Sequence, residues 1–222
     1  MKIIGHCGAR GLAPENTLVG LEKGLKHQVD ELEFDLRVTK DQIVILNHNS
    51  FITSPNGKQY KINRYSFKEL RSYKPDLATF SEVLDSVGNK VPLYIEVKPK
   101  EPIEPIVKII QEYMKKGKLT NFYLASKSQK TLLGLNKKLP KVPKIVIEPW
   151  SGVRAHIRAR QLNAKILSMN QLWLWSGFII SVKRGGYSLY AYTLNDPIKA
   201  AKWQKYGLSG VITDYPDRFE KK

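Results

Sequence analysis

Short apolar runs alternate with longer amphipathic stretches along the whole chain, and this alternation limits the possible folds more than any other feature. Such repeats are typical of strand and helix units arranged around a parallel sheet. Candidate strands lie at residues 2–6, 31–36, 93–97, 122–126, 144–148, 166–169, 189–194 and 210–213. Candidate helices lie at residues 17–27, 79–88, 103–116, 128–138, 152–163, 171–184 and 196–206. Because eight parallel strands are the number that closes into a barrel, the predicted fold is an α/β protein of the (β/α)8 TIM barrel type.

One segment interrupts this alternation. Residues 42–48 indicate an extra strand and residues 54–57 a turn beyond it, so we expect a short β excursion after the second strand that delivers His48. The 222 residues, 42% of them hydrophobic, suffice for one sizeable core, and no linker or shift in composition divides them. We therefore predict a single domain over residues 1–222, with a frayed end at Lys221-Lys222.

The chain is strongly basic, with a formal net charge of +17. Such a field attracts nucleic acid, anionic lipid surfaces or acidic small molecules, and the sign of the charge does not choose among them. The lysines are scattered and not gathered into one arm, so we expect no dedicated nucleic-acid module. A solvated lysine-rich surface is the simplest interpretation and peripheral contact with an anionic membrane surface an alternative, while the oligomeric state is left open.

The chain also carries information about its compartment. Its only cysteine is Cys7, which excludes a disulfide within the chain and a thiolate zinc cluster. The N-terminus turns polar too early for a secretory leader, and no apolar run reaches the ~20 residues that span a bilayer. We expect a soluble, cytoplasmic protein.

An aromatic and apolar stretch at residues 172–182 is too short to span a bilayer, and it is interpreted as a barrel helix with its preceding loop. Trp150 and Trp173 follow strand ends, where they either pack in the core or wall a pocket for an apolar group. Contact of this stretch with a membrane surface, with the basic pair Lys183 and Arg184 behind it, is a third interpretation.

Two strands carry charged side chains on one face. Glu33 and Asp35 lie two residues apart, so their side chains project to the same side of the strand, and Glu96 and Lys98 repeat this arrangement. Charges on strands otherwise built for burial need a partner, which a divalent cation together with an anionic substrate would supply. Three carboxylates with no cysteine expected nearby favour a hard ion, Mg²⁺ or Ca²⁺, over zinc.

In a barrel of this type the active site lies at the carboxyl ends of the strands. Five polar residues of this chain fall at such ends and are predicted to face one mouth: His6, Glu33, Asp35, Glu96 and Lys98. Histidine exchanges a proton near neutral pH without large tuning of its pKa, which suits His6 and His48 for acid and base catalysis.

These residues lie within segments that resemble motifs of the glycerophosphodiester phosphodiesterase family. Residues 6–17 (HCGARGLAPENT) resemble its opening motif, and residues 33–41 (EFDLRVTKD) resemble its second. Later motifs are matched in the same order by His48 and by residues 96–98, 192–195 and 210–216. Each motif alone is weak, but the ordered set spans nearly the whole chain and is specific.

The resemblance implies a barrel hydrolase that releases an alcohol and glycerol 3-phosphate from a small-molecule glycerophosphodiester, with a divalent metal as cofactor. It implies that Glu33, Asp35 and Glu96 hold the metal, with Glu15 near it. It also implies that His6 and His48 act as general acid and base. The residues expected at the phosphate and the rest of the substrate are Lys98, Arg10, Tyr192 and Asn195, although packing is an equal interpretation for the last two.

Two positions depart from the family pattern. Cys7 stands where an arginine usually follows the first histidine, and Asn49 stands where an aspartate usually follows the second. Arg10 would replace part of the missing phosphate contact. Lower activity or an unusual substrate is therefore expected. The alternatives are a lysophospholipid phosphodiesterase whose tryptophans dock an acyl chain, and a catalytically impaired barrel that binds anionic lipid or nucleic acid.

Overall fold

A closed barrel of parallel strands forms the centre of the protein in a computed structural model that describes residues 1–219. The strands are β1 (Lys2–Gly5), β2 (Glu31–Val38), β3 (Val44–Leu46), β4 (Phe51–Thr53), β5 (Gln59–Lys61), β6 (Leu93–Val97), β7 (Phe122–Ser126), β8 (Lys144–Glu148), β9 (Ile166–Asn170), β10 (Ser188–Tyr192) and β11 (Gly210–Thr213). The barrel contains all of these except β3, β4 and β5. The prediction for Lys221 and Lys222 lies outside the described residues.

Closure of the barrel depends on β1, which pairs in parallel with both β2 and β11. Gly5 is in register with Leu32 on one side, and Ile4 with Ile212 on the other. The remaining neighbours are parallel and follow chain order around the ring. The predicted TIM barrel is therefore confirmed, and its parallel strands bring their carboxyl ends together at one face.

Helices surround the barrel: α1 (Leu18–Lys26), α2 (Phe67–Tyr73), α3 (Phe80–Val87), α4 (Glu104–Lys115), α5 (Gln129–Lys138), α6 (Gly152–Leu162), α7 (Ser176–Arg184) and α8 (Pro197–Tyr206). Short polar residues start several of them, since Thr17 and Ser128 accept a hydrogen bond from the backbone N–H three residues on. Asp196 caps α8 in the same manner and precedes its first-turn proline. No helix of residues 1–219 is long and apolar enough to cross a membrane.

The excursion after β2 is larger than the sequence indicated. The predicted extra strand is present as β3, which pairs antiparallel with β2, and the predicted turn at residues 54–57 joins the hairpin β4–β5. Helix α2 was not predicted, although the reciprocal capping bonds between Ser66 and Glu69 mark its start. The predicted helix at 171–184 is also shorter, because a single 3-10 turn at Gln171–Trp173 precedes α7.

Two apolar layers hold the barrel. Leu32, Phe34 and Leu36 point outward from β2 and are fully buried, and Phe34 packs on Phe80 of α3 with their ring centroids 6.1 Å apart. Burying a side chain of this size stabilises the fold by about 1.5–3 kcal/mol. Inside the barrel lies a second layer: Ile4, Tyr94, Ala125, Ile145, Ile147, Tyr190 and Ile212. The outward layer fixes the orientation of β2, so the alternate residues Glu33 and Asp35 must face the interior.

One close backbone contact positions the loop that follows β1. Gly8 has a φ of +90°, and a Cβ placed on it would lie 2.4 Å from the carbonyl carbon of Gly20 in α1. Only glycine fits both this left-handed conformation and this contact without a shift of the backbone. The loop that carries His6 and Cys7 is thereby held directly against α1.

We predict that Gly8→Ala destabilises the protein by about 3 kcal/mol, because the left-handed strain and the clash with α1 add together. Gly57→Ala is the matched control, since Gly57 has a φ of +81° but a Cβ there meets nothing within 4 Å. Strain alone predicts a loss of about 1–2 kcal/mol for the control. Urea unfolding measures the loss of stability in both variants. Equal losses of stability would contradict the role given to the contact with α1.

Candidate active site

Three carboxylates converge at the carboxyl ends of β2 and β6. The two strands pair in parallel with Asp35 in register with Glu96, and Glu33 lies two residues before Asp35 on the same face. Their nearest carboxylate oxygens lie within 4.8 Å of one another, and all three residues are at most 6% exposed. The structure therefore brings together the acidic residues that the strand pattern placed on one face.

Lys98 supplies positive charge within this cluster. Its Nζ lies 2.5 Å from Asp35 Oδ1 and 3.1 Å from Glu96 Oε1. Burial alone would raise the pKa of Asp35, but Lys98, together with His48 and the Asn16 hydrogen bond, outweighs burial and holds that pKa below its ordinary value. Lys98 is 3% exposed. Its ammonium is thus engaged with carboxylates, and its predicted grip on phosphate stays a prediction.

No lysine or arginine of residues 1–219 forms an ion pair with Glu33. Its Oε2 accepts a hydrogen bond of 2.8 Å from the backbone N–H of Cys7. Burial, reinforced by the negative charge of Asp35, raises the pKa of Glu33 to about 8. A carboxyl with that pKa is mostly protonated at neutral pH, so Glu33 is the member of the cluster on which negative charge is least favourable.

Cys7 lies beside the carboxylates, contrary to the expectation that no cysteine was near them. Its Sγ is 3.4 Å from Asp35 Oδ2, and the residue is fully buried. Burial and the charge of Asp35 raise the pKa of the thiol well above its ordinary value. A thiol that stays protonated is a poor nucleophile and a poor metal ligand, so Cys7 acts as a small buried residue.

Asn16 orients Asp35 and was not singled out in the sequence. Its Nδ2 donates to Asp35 Oδ2 and its Oδ1 accepts from the Asp35 backbone N–H, both at 2.9 Å. This double contact leaves Asp35 Oδ1 directed toward Lys98. The only sequence signal was the position of Asn16 in the opening motif, because nothing local links it to a residue 19 positions away.

His6 is held by a chain of hydrogen bonds from the last strand. Its Nδ1 lies 2.6 Å from Asp214 Oδ1, while Asn195 Nδ2 donates to Asp214 Oδ2 at 3.0 Å. Burial disfavours the imidazolium, yet the Asp214 hydrogen bond and the nearby Glu33 charge raise the pKa of His6. Asn195, predicted to touch substrate or to pack, is in contact with Asp214, which the sequence did not identify as part of the site.

His48 reaches the same mouth from the excursion after β2. Arg37 Nη2 donates to the His48 carbonyl oxygen at 2.8 Å, and Arg37 Nη1 is paired with Glu101 at 2.9 Å. His48 Nδ1 lies 3.2 Å from Asn49 Oδ1, so the residue that departs from the family pattern still contacts the ring. Burial and the charge of Lys98 lower the pKa of His48.

A cavity of about 250 Å³ opens between these groups. Its lining includes residues expected at the site, namely His6, Arg10, Glu33, His48, Glu96 and Tyr192. The lining also includes residues that sequence reasoning did not select, namely Tyr94, Lys127, Ile147, Ser168, Asn170, Thr193 and Ile212. Lys127 is exposed and its Nζ lies 5.9 Å from the centre of the Tyr192 ring. An exposed cation at the mouth attracts anionic substrates.

Glu15 and Arg10 form a pair of their own. Arg10 Nε lies 2.9 Å from Glu15 Oε2, at the rim of the mouth. Glu15 is not among the carboxylates that lie within 4.8 Å of one another in the described chain. Its predicted place near a metal therefore stays a prediction.

The sequence from residue 6 to residue 218 matches the model of the Glycerophosphoryl diester phosphodiesterase family. The chain belongs to this family. It is therefore a member of a family of phosphodiester hydrolases, as the ordered motifs predicted.

Individual relatives agree with this assignment. The protein YhdW of Bacillus subtilis (strain 168) is 28% identical over 233 residues, which cover 98% of this chain and 96% of YhdW. Lysophospholipase D GDPD1 of Homo sapiens is 25% identical over 264 residues, which cover 98% of this chain and 84% of the human protein. The solved structure of an Oleispira antarctica phosphodiesterase in complex with the product sn-glycerol-3-phosphate matches with a TM-score of 0.87 and 22% identity, over 98% of this chain and 94% of that one.

The donor set of this family member fits a hard divalent cation. Glu33, Asp35 and Glu96 offer only carboxylate oxygens, and such oxygens are the ligands that Mg²⁺ and Ca²⁺ prefer. Oε1 of Glu96 is buried and lacks a hydrogen bond of good geometry within the described chain, although it lies 3.1 Å from Lys98 Nζ. Three buried acids carry more negative charge than one lysine balances, and a cation would relieve that excess.

We predict that the protein in chelator loses stability as the pH rises from about 4.5 to about 8. A carboxyl whose pKa is higher in the folded state binds more protons there, so each pH unit in that window costs up to about 1.4 kcal/mol. Urea unfolding at several pH values measures the slope. Glu33→Gln should flatten it, whereas the exposed control Glu22→Gln should not. An unchanged slope in Glu33→Gln would contradict this account.

Proposed function

We propose that this protein is a metal-dependent phosphodiesterase that hydrolyses a glycerophosphodiester to an alcohol and glycerol 3-phosphate. The observation that carries the proposal is a cluster of three carboxylates, two of which, Glu33 and Glu96, line one cavity together with two imidazoles. Membership of the family supports the reaction class. The product bound in the Oleispira antarctica phosphodiesterase supports the glycerol 3-phosphate half of the substrate.

Glu33, Asp35 and Glu96 would hold the divalent cation, either Mg²⁺ or Ca²⁺. When bound, such a cation supplies Lewis-acid polarisation of a phosphoryl oxygen. Lys98 keeps Asp35 ionised, since its ammonium lies 2.5 Å from Oδ1. Asn16 prevents the same carboxylate from turning away, so the ligand set is oriented before any substrate binds.

The substrate phosphate would meet cationic groups at the mouth. Lys127 and Arg10 both line the cavity, and Lys127 is exposed. Arg10 is already paired with Glu15, so Lys127 is the cation that is more available to the substrate phosphate. Positive charge fixed at this point stabilises the negative charge that develops on phosphoryl oxygens.

The two imidazoles would transfer the protons of the reaction. His6 and His48 both line the cavity, and they come from two different segments of the rim, one after β1 and one after β3. One ring would deprotonate the nucleophile and the other would protonate the departing alkoxide. Asp214 holds Nδ1 of His6, which leaves Nε2 as the nitrogen that can meet substrate.

A lysophospholipid phosphodiesterase is the second candidate function. The human relative is named lysophospholipase D. Trp150 and Trp173 lie beyond the mouth and are 63% and 53% exposed, so they are available to an apolar group. The two candidates differ only in the group esterified to the glycerol, and the same assay separates them.

We predict that the protein releases glycerol 3-phosphate from glycerophosphocholine or glycerophosphoethanolamine only when Mg²⁺ or Ca²⁺ is present. His6→Ala and His48→Ala should each lower kcat by about 10²- to 10⁴-fold, because a proton transfer is lost. Coupled detection of glycerol 3-phosphate, with and without chelator, measures this. A lysophospholipid in the same assay should yield lysophosphatidate if the second candidate is correct.

His156→Ala is the matched control, since His156 lies on α6 and its Nδ1 contacts the carbonyl oxygen of Gly152 at 2.8 Å, away from the cavity lining. This variant should keep full turnover. Metal-independent turnover, or full turnover in His48→Ala, would refute the proposed chemistry. The absence of turnover on every substrate would favour a barrel that only binds its ligands.

We predict that Asp214→Asn lowers kcat by about 10- to 100-fold with little change in KM. The neutral amide cannot hold the His6 imidazolium as the carboxylate does at 2.6 Å, while the cavity wall keeps its shape. Steady-state kinetics on the preferred substrate separate the two constants. A rise in KM at unchanged kcat would show that Asp214 serves binding and not proton transfer.

A further inference from the structure

Exposed large apolar side chains concentrate in one sector of the barrel rim. They lie in the segments that follow three consecutive strands, β8, β9 and β10, either in the loops or at the starts of the helices. These side chains, with their exposed fractions, are Trp150 63%, Val153 72%, Leu172 76%, Trp173 53%, Trp175 66% and Ile198 83%. Single exposed apolar residues are normal on a protein surface, but a group that shares one sector marks an interaction site.

The tryptophans of this sector are placed by specific contacts. Trp150 and Trp173 meet edge to face with their ring centroids 6.2 Å apart, which joins the loops after β8 and β9. The Trp175 ring lies over Gly177 so closely that a Cβ on that glycine would be 2.0 Å from the ring. We call Trp150, Leu172, Trp173 and Trp175 the tryptophan rim. Its rings are exposed and at the same time held in place.

The tryptophan rim adjoins the cavity directly. Asn170 is the last residue of β9 and lines the cavity, and its Oδ1 accepts a hydrogen bond of 2.9 Å from the Leu172 backbone N–H. The rim therefore begins two residues beyond the cavity wall. Whatever covers the rim also lies at the entrance of the cavity.

The surroundings of the rim are positively charged. The segments 127–130, 148–157, 170–178 and 195–202 contain the basic residues Lys127, Lys130, Arg154, Lys199 and Lys202. Their only acids are Glu148 and Asp196. Glu148 is fully buried and paired with Arg154 and Arg158, and Asp196 caps α8. This charge adds to the net charge of +17 for the whole chain.

We propose that the tryptophan rim docks the protein onto an anionic phospholipid bilayer, with the cavity mouth turned toward the lipid. Tryptophan suits the boundary between headgroups and acyl chains, because its ring is apolar and its N–H stays hydrated. Basic residues beside an apolar face add attraction to anionic headgroups. The same positive charge opposes a second copy of this chain as the occupant, since two strongly basic surfaces would repel each other.

Vesicle sedimentation tests the proposal and requires no enzymatic turnover. The native protein should bind vesicles of phosphatidylcholine mixed with phosphatidylglycerol, and should bind vesicles of phosphatidylcholine alone more weakly. The double variant Trp173→Ala/Trp175→Ala should lose about tenfold or more in binding to the mixed vesicles. Added salt should weaken binding through the charge contribution.

The matched control is Leu133→Ala/Met114→Ala. It also removes two exposed large apolar side chains, which are 47% and 41% exposed, but these lie on α5 and α4 outside the rim. It should bind the mixed vesicles as the native protein does. Circular dichroism and thermal melting verify that both double variants are folded.

A second measurement uses the native protein alone. Of its four tryptophans, three belong to the rim and Trp203 is 7% exposed. Binding to vesicles should shift the fluorescence to shorter wavelength, and lipids with brominated chains should quench it. No binding, equal binding by the rim variant, or no quenching would overturn the proposal. A native dimer that Trp173→Ala/Trp175→Ala dissociates, found by equilibrium sedimentation, would assign the rim to a second copy instead.

Discussion

Unbalanced negative charge at the ends of β2 and β6 is the constraint on which the rest of this structure depends. Glu33, Asp35 and Glu96 are buried with their oxygens within 4.8 Å, and Lys98 is the ammonium in contact with two of them. Buried carboxylates repel one another strongly in a medium of low dielectric. The raised pKa of Glu33, about 8, expresses that repulsion. A site built in this way is suited to bind positive charge.

Hydrogen bonds from neighbouring residues hold the carboxylates and the imidazole in a defined geometry despite this repulsion. The Asn16 side chain forms hydrogen bonds with both the carboxylate and the backbone N–H of Asp35, and the Cys7 N–H donates to Glu33. Asp214 fixes the ring of His6 from the end of the neighbouring strand β11. Since these contacts join the segment after β1 to β2 and to the residue after β11, the closed barrel must form before the site exists. The rigidity of the site therefore depends on the packing of Gly8 and its loop against α1.

The strand pattern and the ordered motifs predicted the barrel, the acidic cluster and the two histidines at its mouth. They did not reveal helix α2, although the Ser66 capping box was present in the sequence. They also placed Trp150 and Trp173 in the core as one interpretation, and that was wrong because both rings are more than half exposed. The sequence alone does not show whether an aromatic residue after a strand end points into the core or toward solvent. Only the path of the loop decides between the two.

The sequence by itself determined which side chains share a face of a strand, since alternation along β2 and β6 is a local property of extended backbone. It also determined the reaction class, because the ordered motifs carry the family. Only the tertiary structure decided that Lys98 pairs with acids, that Asp214 and Asn16 support the site, and that the tryptophan rim lies beside the cavity. These contacts join residues far apart in the chain, so their geometry follows from barrel closure and packing and not from any local pattern.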